Sequence, residues 1–137
     1  EKLLSKYDMD IFLEDDELFS CLNDFMFTCL HTPGHTPGSV CLYIPVETNA
    51  CPPNGRGRSS SPEQKSPVLF SGDTIFAGSI GVTHFKGGDF ALLKDSIENK
   101  LFTLPDDTRV YPGHGRDFIL GDEKEAIIQM LNPDLTL

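Results

Sequence analysis

Three short stretches carry side chains that could do chemistry: TPGHT at 32–36, SGDT at 71–74 and PGHG at 112–115. Each sets one metal-binding side chain, His35, Asp73 or His114, next to a glycine. Imidazole and carboxylate are donors of choice for zinc, and they also suit iron and manganese. A carboxylate has two oxygens and can bridge two cations. A metal brings the pKa of its bound water toward about 7 and polarises a carbonyl under attack. The chemistry these residues point to is metal binding, with activation of a bound water as what such a metal could supply. Any one of the motifs is an ordinary turn, and a lone loop histidine is more often a surface residue than a ligand. The weight comes from all three together, each at the end of an apolar run.

Those runs are the elements that must position the ligands. FMFTCL at 25–30 is continuous and apolar, as in a strand buried on both faces, and it leads into HTPGHTPGS at 31–39. Proline and glycine make that loop unfit for helix, so His35 stands on a stiffened turn. SVCLYI at 39–44 and VLF at 68–70 are further strands, and RVY at 109–111 runs into the third motif. Strand ends fix side chains firmly, and a glycine beside each ligand lets neighbouring backbone come close. Upstream, 10–13 and 18–22 suggest two short strands around the acidic run Glu14-Asp15-Asp16-Glu17. That run lacks the alternating oxygens and the glycine of a calcium loop.

The segment 45–67 is rich in Pro, Ser, Gly and charge, and cannot bury enough apolar area to offset its ordering entropy. It is expected to be a flexible insertion, expanding the tip of a hairpin made by its two flanking strands. IFAGSIGVTHFKGGD at 75–89 reads as one glycine-rich loop. Asp89 is placed to cap a helix from Phe90, with Leu93, Ile97 and Leu101 along one face, ended by Pro105. A last helix is expected from Asp122, with Glu125 completing a capping box and Ile127, Ile128 and Leu131 facing the core.

The chain has 137 residues, about one domain's worth, and its 39% apolar content suffices for a core. A formal net charge of −10 argues against a nucleic-acid partner, because phosphates reward clustered Lys and Arg. No apolar run reaches the roughly 20 residues of a membrane span. Cys21, Cys29, Cys41 and Cys51 form no C-x-x-C and no disulfide framework, which suggests reduced thiols in a reducing compartment, cytoplasm or organelle lumen. The opening EKLLSKYDMD has no initiator Met and reads as the interior of a longer protein.

TPGHTPGS, LFSGDTIF and YPGHG, together with FAGSIG and GGD, resemble the later metal-binding motifs of the metallo-β-lactamase fold superfamily, in particular its glyoxalase II-like hydrolases. The resemblance covers the chain apart from 45–67. It implies an α/β (α+β) fold, the αββα sandwich, with residues 1–137 a single-domain fragment holding mainly its second half. It implies two zinc ions per intact site, with iron or manganese as alternatives. His35 would serve the first metal, His114 the second, and Asp73 would bridge them. The family's first motif, H-x-H-x-D-H, is absent from these residues, so the remaining ligands would come from a missing N-terminal half, as upstream sequence or a separate chain.

The implied activity is hydrolysis of a small-molecule thioester or related acyl compound by a metal-bound hydroxide, the fragment alone being inactive. An alternative is a mononuclear iron enzyme of the persulfide dioxygenase kind, and another is a non-catalytic interaction protein on the same fold. Relatives that use glutathione thioesters commonly carry a basic residue and a tyrosine after the Gly-Asp loop, where this chain has Val82 and His84. The dioxygenase pattern Arg-Thr-Asp is replaced by Val82-Thr83-His84. His84 and Lys86 remain as weak candidates for contact with substrate.

Overall fold

A computed structural model of the chain describes residues 18–21, 25–45 and 66–135. The strands are β1 (Leu18–Cys21), β2 (Phe25–His31), β3 (Val40–Ile44), β4 (Val68–Gly72), β5 (Ile75–Phe76), β6 (Ser79–Ile80), β7 (Arg109–Pro112) and β8 (Phe118–Ile119). The helices are α1 (Phe90–Asn99) and α2 (Leu120–Leu131), with short 3-10 turns at Leu101–Thr103 and Pro133–Leu135. Six strands form one mixed sheet in the order β1-β2-β3-β4-β7-β8. The expected strand at 10–13, the acidic run, and residues 46–65 of the expected insertion lie outside the described residues.

The flanks of that insertion do pair. β3 and β4 are antiparallel, with Leu42 opposite Phe70 and Tyr43 opposite Leu69. The end of the segment is anchored: Pro67 is buried, and the Arg109 N–H donates to its carbonyl at 2.9 Å. β4 then pairs with β7 in parallel, Leu69 opposite Val110. Parallel neighbours need a crossover, and α1 supplies it.

Strand direction decides where the loops go. β2 is antiparallel to β3, and β3 to β4, so β2 runs with β4. β7 runs with β4 as well. The C-terminal ends of β2, β4 and β7 therefore share one rim of the sheet, and the loops bearing His35, Asp73 and His114 leave from that rim.

The core lies on one face. Leu30, Cys41, Leu69, Val110 and Phe118 project from it and meet Leu93, Ile97 and Leu101 of the α1 region and Leu120, Ile127 and Leu131 of α2. The opposite face is apolar but open, with Phe70 stacked on Tyr111 at 5.6 Å between ring centroids. Asp89 caps α1 as expected, its carboxylate accepting the Leu92 N–H at 3.1 Å.

Four readings are corrected. The stretch 75–89 is not one loop, because β5 and β6 close a small hairpin in it. α1 ends at Asn99, and Leu101 sits on a 3-10 turn before Pro105. α2 starts at Leu120 rather than Asp122, with no side-chain cap. Its first amides are taken instead by backbone: Leu120 N–H by the Thr108 carbonyl and Gly121 N–H by the Asp106 carbonyl. Asp122 and Glu123 stand in the first turn, where the helix dipole favours them. Ile128 points outward, leaving Ile127 and Leu131 as the buried pair. Leu69→Ala and Ile97→Ala should each lower the unfolding free energy by about 2–5 kcal/mol in urea titrations, and Ile128→Ala by less than about 1 kcal/mol.

Candidate metal centre

His35 sits on the loop that follows β2. The loop is fastened to α1 at three points. Ser96 Oγ–H donates to the Pro33 carbonyl at 2.8 Å, and the Asp89 N–H donates to the Gly34 carbonyl, also at 2.8 Å. Gly34 lies flat against the helix: a Cβ there would come within 2.3 Å of the Leu93 backbone, and its φ is 141°. No other residue fits that approach. His31 ties the loop to itself, its Nε2 lying 2.9 Å from the Pro37 carbonyl, a structural role. Thr36 is a turn residue, with its hydroxyl 2.7 Å from Ser39 Oγ.

The ring of His35 is oriented from behind. Nδ1 lies 2.7 Å from the Val82 carbonyl oxygen, which can only accept, so Nδ1 carries the proton. Nε2 is then the nitrogen with the lone pair, and it faces Asp73 Oδ2 at 3.6 Å. The other oxygen, Asp73 Oδ1, lies 3.2 Å from His114 Nδ1. One carboxylate thus stands between two imidazoles, an oxygen toward each. The trio is not equally held. His35 is 20% exposed, Asp73 38% and His114 73%.

His114 leaves β7 through Gly113, whose N–H donates to the Gly72 carbonyl at 2.7 Å and extends the β4–β7 pairing into the site. A Cβ on Gly113 would stand 2.7 Å from Asp73 Oδ1. Phe76 presents an edge contact to the His114 ring, with centroids 6.1 Å apart at 79°. Arg116, just beyond the motif, is held away by Glu123 of α2 at 2.5 Å.

The other two candidates lie on the loop after β6. The exposed His84 packs on Phe85, with centroids 4.3 Å apart, and Lys86 is exposed on the same loop. The contributions of Thr32, Gly81, Val82 and Ser96 were missed. Three of them act through backbone atoms or a distant hydroxyl, for which residue type gives no sign. Thr32, a threonine next to a ligand turn, was the one available signal.

Two imidazoles and a carboxylate suit zinc, iron or manganese. Among the described residues no group of three or more His, Cys, Asp and Glu side chains forms a metal-ready cluster. The trio sets one Asp73 oxygen toward each of the two histidines.

The sequence matches the profile of the metallo-beta-lactamase superfamily over residues 46–114. The chain belongs to that superfamily. It is 36% identical over 105 residues to "Hydroxyacylglutathione hydrolase GloC" of Haemophilus influenzae, an alignment covering 77% of this chain and 41% of that protein. Among solved structures it resembles the BLEG-1 B3 metallo-beta-lactamase with a TM-score of 0.64 and 37% identity, over 85% of this chain and 46% of that one. It also resembles TTHA1623 in a di-iron-bound form, with a TM-score of 0.59 and 31% identity, over 92% of this chain and 55% of that one. The chain spans well under half the length of the curated relatives it matches, 41% for the Haemophilus protein. Within the superfamily the likeness is to glyoxalase II-like members. The fold class is the αββα sandwich of these neighbours, of which the six-stranded sheet and its helix layer form a part.

Gly34→Ala should cost at least about 2 kcal/mol in urea unfolding, because α1 and the His35 loop must part to admit a methyl group. A second expectation concerns Cys41. Burial pushes its thiol above the ordinary range, and contacts with Thr32 and Thr74 pull it partly back. The native state then keeps this proton longer than the unfolded chain does. The stabilisation is complete below the ordinary thiol value of 9.0 and is lost as pH climbs beyond it. Burial and the charge of Asp107 raise Tyr43 as well, extending the fall to higher pH. At pH 8 iodoacetamide should leave Cys41 unmodified in native protein and alkylate it in urea, as read by peptide mass spectrometry.

Proposed function

We propose that the natural protein containing this chain is a metal-dependent hydrolase acting on a thioester or related acyl compound. The observation that supports this most directly is Asp73 placed between His35 Nε2 and His114, one oxygen to each. His35 and one Asp73 oxygen would hold the first metal; His114 and the other oxygen would hold the second. A bound metal pair supplies a nucleophile from water at neutral pH and stabilises negative charge on the carbonyl oxygen under attack.

The residues of this chain have supporting work to do. The Val82 carbonyl keeps the His35 Nε2 lone pair facing inward. Phe76 walls the His114 side with an aromatic edge. His114 needs one adjustment. In the present geometry its Nδ1 faces a carboxylate that can only accept, so that nitrogen donates. To act as a ligand it must give up that proton or turn Nε2 inward, and its 73% exposure leaves room for the turn.

The remaining ligands would come from an H-x-H-x-D-H segment, upstream or on a separate chain. The open face around Phe70 and Tyr111 suits a second sheet laid against it, as an αββα sandwich requires. Two histidines and one carboxylate also suit a mononuclear iron oxygenase. Metal analysis with paired aerobic and anaerobic assays separates that reading from hydrolysis.

Three outcomes are expected. The natural gene product binds zinc or iron tightly and hydrolyses members of a thioester panel. His35→Ala, Asp73→Ala and His114→Ala each lower its kcat/KM by at least about a hundredfold. The 137-residue chain by itself binds zinc weakly and does not turn over. Tight stoichiometric zinc uptake by the isolated chain would refute the incomplete-set reading. Full activity in all three alanine variants would refute the site.

A further inference from the structure

Beneath the His35–Asp73 pair lies a belt of three hydroxyls and a thiol. Thr32 follows β2, Cys41 lies on β3, and Ser71 and Thr74 stand on either side of the β4 exit. All four are buried, at 0% or 1% exposure. Thr32 Oγ1 is 3.3 Å from Thr74 Oγ1, 3.3 Å from Cys41 Sγ and 3.5 Å from the Ser39 carbonyl oxygen. The Cys41 thiol donates to the Ser71 carbonyl at 3.7 Å, and Ser71 Oγ–H donates to the Ile75 carbonyl at 3.0 Å. The Thr32 and Thr74 hydroxyls share a hydrogen bond, and Thr32 also reaches the Ser39 carbonyl and the Cys41 thiol. The belt is thus a connected set of buried polar groups.

Backbone closes the belt into a ring. The Gly81 N–H donates to the Thr74 carbonyl at 3.1 Å. The next residue's carbonyl, that of Val82, accepts the His35 Nδ1–H. Thr74 is therefore joined by its side chain to the loop that carries His35. Its backbone is joined to the segment that aims the His35 ring. It is also the residue directly after Asp73. Displacing one link moves the two groups that face each other across 3.6 Å.

We propose that Thr32 and Thr74 are positioning residues: their buried hydroxyl pair sets the approach of His35 Nε2 to Asp73 and maintains the ring tautomer that aims it. This rests on reading His35, Asp73 and His114 as a metal-holding set. Valine matches threonine in shape and lacks the hydroxyl, so Thr32→Val or Thr74→Val leaves the partner hydroxyl poorly satisfied in a buried place. Serine keeps the hydroxyl and loses only a methyl group.

The test uses the natural gene product with two readouts. Ring 15N NMR on metal-free protein reports the His35 tautomer. Titration with Co²⁺, followed by d–d absorption, reports affinity. The parent is expected to show the Nδ1–H tautomer. Thr32→Val and Thr74→Val are expected to mix the tautomers and weaken cobalt binding about tenfold, while Thr32→Ser and Thr74→Ser stay within about twofold of the parent. Circular dichroism and melting establish which variants fold, and either valine variant suffices. Folded valine variants that keep the tautomer and bind cobalt like the parent overturn the proposal, even where melting falls. Cobalt binding of the parent that is indifferent to His35→Ala overturns the metal reading itself, and the proposal with it.

Discussion

The parallel pairing of β4 with β7 is the constraint on which the site depends. Asp73 follows one strand and His114 follows the other, and only strands running together deliver both to the same rim. The pairing continues past the sheet proper, where the Gly113 N–H donates to the Gly72 carbonyl at 2.7 Å. That bond draws the two ligand loops together at the level of backbone, before any side chain acts. A parallel pair cannot form through a tight turn, so α1 must span the gap, and its buried Leu93 and Ile97 hold it on the sheet.

α1 has a second consequence. The helix that makes the crossover also carries the seat for the His35 loop, through Asp89, Leu93 and Ser96. The loop after β2 and the crossover after β4 are distant in sequence but share one packed contact. Gly34 is the point where this contact is tightest, and His35 is the very next residue. Core packing of α1 and the placement of His35 are thus one mechanical unit. Loosening the helix would be felt at the site without any change to a donor atom.

Much of this was legible in the sequence because its signals are local. Apolar runs ending in TPGHT, SGDT and PGHG mark strand ends, and Asp89 with Leu93 and Ile97 marks a capped amphipathic helix. The gathering of His35, Asp73 and His114 follows once those strands run together. What escaped detection was short or non-local. β5, β6 and β8 have two residues each, too few for any periodicity. The start of α2 carries no capping signature because its first amides are satisfied by carbonyls of Asp106 and Thr108 in the preceding loop. The Thr32–Thr74 contact joins residues 42 apart, and nothing in either neighbourhood names the other.

The unequal exposure of the two histidines follows from what lies behind each. The His35 ring is held by the Val82 carbonyl, and the loop that carries it is fastened to α1. His114 is backed by the edge of Phe76 and follows Gly113 just past the end of β7. A side chain already held in place has less freedom left to lose, so His35 is the more preorganised of the two histidines. Asp73 joins the two, one carboxylate oxygen facing His35 Nε2 and the other facing His114 Nδ1. The trio therefore joins a firmly held imidazole and an exposed one, with the Asp73 carboxylate between them.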